Sequence, residues 1–208
     1  MAAVAASGMS CVLLLVQVQE AHQYHYWYMA WNLVLAWIPM VLAMVFGTAA
    51  VQRRGGLVRL VLFATWLLFL PNAPYMATDV IHLRYSPVPL VQYLMFAAFA
   101  ATGLVLGLGS AYVMNCALLL RWKRERVVAL VYGCLVVCGI GLYVGRVVQL
   151  NSWDVVVAPD RFARAVASHV DNLDGLADAV LFVAVVASVL VLTYFIFSRF
   201  AGGAKARG

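Results

Sequence analysis

The chain has 208 residues, 66% of them hydrophobic and only 11% charged, with a mean hydropathy of +0.96. A soluble domain carries roughly 25% charged residues, so the polar surface is too small for a cytosolic enzyme, a secreted disulfide scaffold or a disordered regulator. The net charge of +6 would suggest nucleic acid in a soluble chain; in one this apolar it reads as membrane topology, and no nucleic-acid partner is expected.

The expected fold is all-α: a polytopic integral membrane bundle of six transmembrane helices, both termini cytoplasmic, forming one domain over residues 1–208. About 20 apolar residues cross ~30 Å of hydrocarbon. Such runs lie at about 3–18, 27–51, 57–71 with a proline-broken extension to 83, 88–120, 127–148 and 177–198. The first lacks a basic leader and a small-x-small cleavage site near Ala21, so it reads as a retained anchor. His22 and His25 follow it among Tyr24, Tyr26, Trp27 and Tyr28, a setting that favours an interfacial aromatic belt over a metal site.

Two links are basic, Arg53-Arg54 and Arg121 to Arg126, and the tail adds Lys205 and Arg207. The positive-inside rule places these in the cytoplasm, where they suit anionic lipid. Residues 19–26, 72–87 and 149–176 then fall outside. The charge distribution as a whole agrees with it: the inner side sums to +9, and the outer side, whose charges were not used in the assignment, to −3. The fourth run spans 33 residues, but its flanks have opposite sidedness, so it crosses once.

Gly103 and Gly107, and again Gly141 and Gly145, have the small-xxx-small spacing that lets membrane helices approach closely; packing of spans four and five within one chain is expected. Cys11, Cys116, Cys134 and Cys138 all lie in spans, which argues against a structural disulfide, and Cys134 and Cys138 read as small packing residues rather than metal ligands. Span six has no Pro, Gly or Asn over residues 177–198 to echo the broken third span, which weakens an inverted-repeat transporter plan.

Polar chemistry gathers on the outer side. Span three offers about 14 apolar residues, ~21 Å of helix, before Pro71-Asn72-Ala73-Pro74-Tyr75. Each proline removes a donor and frees an acceptor, and in hydrocarbon such a break is tolerated only against protein or a wet cavity. A helical turn resuming after Pro74 would put Tyr75, Asp79 and His82 on one face, with Asn72 extending the stripe. A second cluster follows span five: Arg146, then Asn151 and Asp154 with Trp153. Arg146 lies ~30 Å along the helix from the cytoplasmic Arg126. Its expected partner is Asp79 first and Asp154 second.

The runs Asn32 to Pro39, Leu70 to Leu83 and Gly145-Arg146 through Asn151-Ser152-Trp153-Asp154 are similar to three characteristic stretches of the bacterial membrane proteins grouped as domain of unknown function 1361. The resemblance covers most of the chain. It implies a multi-pass protein of the bacterial inner membrane and no particular activity. In one departure, Gln149 and Leu150 stand where that family often has a second basic residue and an aromatic, which weakens an anion clamp of two arginines.

Residues 160–171 space Phe162, Val166 and Val170 by four, as in a short helix lying on the outer surface. Asp171 to Gly175 has the wrong register for a calcium loop and reads as a turn before span six. Three functions stand side by side. The first is a site for a small polar ligand or lipid headgroup built from Asn72, Tyr75, Asp79, His82, Arg146, Asn151 and Asp154. In it His82 would serve as base or ligand and Arg146 as an anion holder, with no cofactor assigned. The second is a structural or accessory subunit in which the same cluster is an internal clamp. The third is a small-molecule transporter.

Overall fold

The computed structural model describes residues 2–21, 26–52, 55–79, 90–151, 154–171 and 173–205. His22, His25, Arg53, Arg54, His82, Ser152 and Trp153 lie outside them. The described residues form nine helices and no strand: α1 (Ala2–Ala21), α2 (Trp27–Val51), α3 (Gly56–Phe69), α4 (Asn72–Thr78), α5 (Leu90–Leu119), α6 (Arg124–Arg146), α7 (Asp154–Val157), α8 (Pro159–Val170) and α9 (Leu173–Lys205). Helices are what hydrocarbon permits, because each backbone group is satisfied within its own segment.

Among the described residues, five segments are long and apolar enough to cross a membrane: α2, α3 continued into α4, α5, α6 and α9. The apolar part of α1, Ala3–Gln19, falls just short of that length. Helix α5 runs unbroken for 30 residues, ~45 Å, as a single crossing requires. Apolar side chains face outward along the long helices, among them Val34, Val41, Leu181, Val185 and Leu192. In water such a surface would drive aggregation; around a membrane bundle it is the lipid contact.

Helix α5 is the hub, packing against α1, α2, α4, α6 and α9. Its buried face carries Met95, Phe96, Phe99, Leu106, Ala111 and Met114. Helix α1 docks through polar staples as well as leucines. The Ser10 and Thr102 hydroxyls lie 3.1 Å apart, and the Trp37 indole N–H donates to Ser7 Oγ at 3.1 Å. The short amphipathic α8 packs Phe162, Ala165 and Val166 with Tyr143, Val148, Leu150 and Ala179, and is the short helix expected over residues 160–171.

The third span is interrupted where the prolines stand, and its accounting can be followed atom by atom. Without an N–H on Pro74, Leu70 O takes the Ala73 N–H at 3.2 Å, an i+3 bond. That diverts the donor due to Phe69 O, which instead accepts the Asn72 side-chain amide at 3.1 Å. Leu70 and Pro71 keep right-handed helical dihedrals, so the segment bends without reversing.

Both glycine pairs are spent on this break. A Cβ on Gly103 would strike the Ala73 carbonyl oxygen, and one on Gly107 would sit 3.2 Å from Ala73 Cβ. On α6, a Cβ on Gly141 would strike the Pro71 ring, and one on Gly145 would lie 3.3 Å from the Tyr75 ring. The glycines thus serve intramolecular packing, but the partner of each pair is the bent segment rather than the other glycine helix.

We expect Gly103→Ala and Gly141→Ala each to destabilise by about 1–3 kcal/mol, because the obstacles are a carbonyl and a proline ring that cannot swing aside. Gly133→Ala, with open space at its Cβ position, should be neutral or slightly stabilising through helix propensity. Unfolding in detergent by increasing sodium dodecyl sulfate would check the contrast.

Candidate functional site

The bend brings α4 against the C-terminal turn of α6, where Arg146 is the last helical residue. Its Nη1 donates to Asp79 Oδ1 at 3.0 Å and its Nη2 to Thr78 O at 3.0 Å. The guanidinium also sits over the Tyr75 ring, 5.7 Å from its centroid, a cation–π distance. One side chain therefore holds the carboxylate, the C-terminal carbonyl and the aromatic of the same short helix. Cation and helix C-terminus attract, since the last carbonyls carry partial negative charge. Asp79 is 1% exposed and Arg146 20%, so the pair is largely desolvated.

The expected Arg146–Asp79 pair is thus present; the secondary one is not. Asp154 Oδ2 accepts the Asn151 backbone N–H at 2.7 Å, while the Asp154 N–H returns to Asn151 O at 3.0 Å. A carboxylate at the start of a helix finds the exposed backbone donor three residues back more readily than a distant cation, as in a capping box. Asp154 therefore braces the α6–α7 turn. His82 lies outside the described residues.

Beside the clamp opens a cavity of about 900 Å³. Its polar rim combines Asn72, Tyr75, Arg146 and Asn151 with Asn32 and Gln149. Its wall descends along Leu35, Ala64, Leu67, Val137, Ile140 and Val144, and Phe162 of α8 also borders it. Four of the seven expected site residues line this space; Asp79 is buried behind Arg146, and Asp154 supports the turn that carries Asn151. The lining has amides, a phenol, an indole and one guanidinium, with no carboxylate, imidazole or thiol among the described residues. That equipment holds and orients a ligand by hydrogen bonds and charge.

Two rim residues escaped the sequence reading as site members. Asn32 stands in an apolar run, where a single amide signals nothing about its direction; its place in the Asn32 to Pro39 stretch was the available hint. Gln149 has φ 59°, the left-handed region that a residue with a Cβ adopts at a cost of about 1–2 kcal/mol. It ends α6, with Leu150 N–H donating to Val144 O at 3.2 Å, and that turn puts the Gln149 side chain at the rim. A glycine there would have announced the conformation.

Helix lengths, lipid-facing apolar surface and a polar cluster confined to one end of the bundle define a multi-pass helical membrane protein. Residues 31–193 match the family described as Protein of unknown function (DUF1361), and the chain belongs to that family. No curated protein and no solved structure matches it.

The clamp gives a quantitative expectation. Removing one member of a buried pair strands the other and typically costs about 3–5 kcal/mol. Arg146→Ala and Asp79→Ala should each be that damaging, and the double change should cost clearly less than their sum. A thermal-unfolding cycle in detergent reads the coupling; simple additivity would mean that the two charges do not stabilise one another.

Proposed function

We propose that the protein holds an amphiphile, a lipid or lipid-like molecule with a polar head, in the cavity beside Arg146. The continuity of a hydrogen-bonding rim with an apolar wall inside one space of about 900 Å³ carries this reading. A purely polar solute would leave the leucine and valine wall wet, and a hydrocarbon at the rim would press against the amides of Asn32, Gln149 and Asn151 without answering them. The head meets the rim, and the chain lies along α3 and α6. The charge bias of the loops supports an exoplasmic position for this site, six crossings that include α1, and residence in a bacterial inner membrane.

An accessory subunit with an internal clamp is the second reading, and the Arg146–Asp79 bond favours it: the pair needs no ligand to account for it. The two readings part on access. In a background without native cysteines, Asn72→Cys should react with a charged, membrane-impermeant thiol reagent added from outside, and lipid extracted from the purified protein should contain a retained species. Ala64→Trp, which fills the cavity from its wall, should remove that species and slow the labelling. Protection of residue 72 until denaturation, with no lipid retained, would leave the clamp alone. Reporter fusions after residues 54 and 124 should read cytoplasmic, and one after residue 160 exoplasmic.

A further inference from the structure

The opposite end of the bundle has a separate, smaller cavity of about 400 Å³, formed where α2 and α5 end and α3 and α6 begin. Phe46, Leu60, Phe63 and Leu130 wall it, while Arg59 and Arg121 both reach it. The two guanidiniums are under-used by the protein. Arg59 Nη1 is fully buried yet has no hydrogen-bond partner. Arg121 makes a long 3.4 Å contact from Nη2 to Ala50 O. Among the described residues, no acidic one lines the space. Helix α3 also begins here at Gly56 without a side-chain cap, so its first N–H groups add positive potential at the same place.

An unpartnered buried guanidinium is costly unless an anion completes it. A partly buried Arg59 with one unanswered nitrogen and a more exposed Arg121, both bordering an apolar chamber at a helix-end level, match a phosphodiester with hydrocarbon attached. We propose that this cavity is a specific site for an anionic phospholipid of the leaflet on the Arg121 side: the phosphate sits between Arg59, Arg121 and the start of α3, and an acyl chain lies against Phe46, Phe63 and Leu130. The site is separate from the cavity beside Arg146 and does not depend on the function proposed for it. It also differs from diffuse attraction to a basic loop, since exposed Lys123 does not line it.

The test is competition in nanodiscs containing equal amounts of phosphatidylglycerol and phosphatidylcholine, with lipid bound to the intact full-length protein counted by native mass spectrometry. The wild type should prefer phosphatidylglycerol. Arg59→Gln or Arg121→Gln should lower the preference about fivefold, and the double change about twenty-five-fold, as expected for about one unit of surface-level arginine attraction each. Lys123→Gln and Arg199→Gln, which alter charges away from the cavity, should leave it within twofold. Arg59→Lys with Arg121→Lys guards against misfolding, because it keeps the charges and should keep most of the preference. An unchanged preference in a folded double Gln variant would overturn the site. Equal losses in the Lys123 and Arg199 controls would reduce it to a general surface effect, and displacement of the bound lipid by millimolar inorganic phosphate would show that free phosphate is the ligand.

Discussion

A carbonyl released inside hydrocarbon has no water to accept from, and the carbonyls released by Pro71 and Pro74 set the terms for everything packed around them. Ala73 answers the one released by Pro74 by tightening a turn, and Asn72 answers the Phe69 carbonyl that this diversion leaves over. The short helix that results is too brief to hold itself. It is kept in place by α5, whose glycines approach its backbone, by α6, whose glycines face the Pro71 and Tyr75 rings, and by Arg146, which fastens its C-terminal end. The cavity opens beside this interrupted segment and is lined by its Pro71, Asn72 and Tyr75, so rim and clamp meet at one local break.

The features legible in the sequence were those fixed by strong and local physics. Apolar run lengths gave the long helices because backbone satisfaction in lipid leaves few alternatives. The break was visible because proline cannot donate. The Arg146–Asp79 bond was inferable because a guanidinium opposing the charge bias of its side of the membrane needs a partner at its own depth. What failed had competing local solutions. Asp154 had a backbone donor three residues away and took it. The glycine pairs displayed their need for a close neighbour but not its identity, and the neighbour proved to be the bent segment. Asn32 and Gln149 became rim residues through a helix rotation and a left-handed turn that no spacing rule marks.

Polar contacts between helices elsewhere show why such a bundle holds a unique arrangement although leucine gains little by leaving lipid for protein. Gln92 Nε2 donates to the Tyr26 hydroxyl at 2.6 Å, Asn115 Nδ2 to the Tyr194 hydroxyl at 3.0 Å, and the Trp66 indole N–H to Ser110 Oγ at 3.3 Å. Each such bond contributes on average about 0.6 kcal/mol in a membrane. Their value is in register, since sliding a helix by one residue would strand several polar groups together.

The two ends of the bundle differ in how their arginines are balanced, and this bears on what each can hold. Arg146 faces its cavity with Asp79 already 3.0 Å away, so much of its charge is answered inside the protein. A second anion would meet that carboxylate as well as the guanidinium, and the surrounding amides then decide the fit. Such a site suits a head rich in donors and acceptors more than one rich in charge. At the other end, among the described residues, Arg59 and Arg121 have no carboxylate beside them in the cavity, so their charge is not answered there by the lining. The two ends thus differ in whether the charge that compensates an arginine is built into the lining or left to the surroundings.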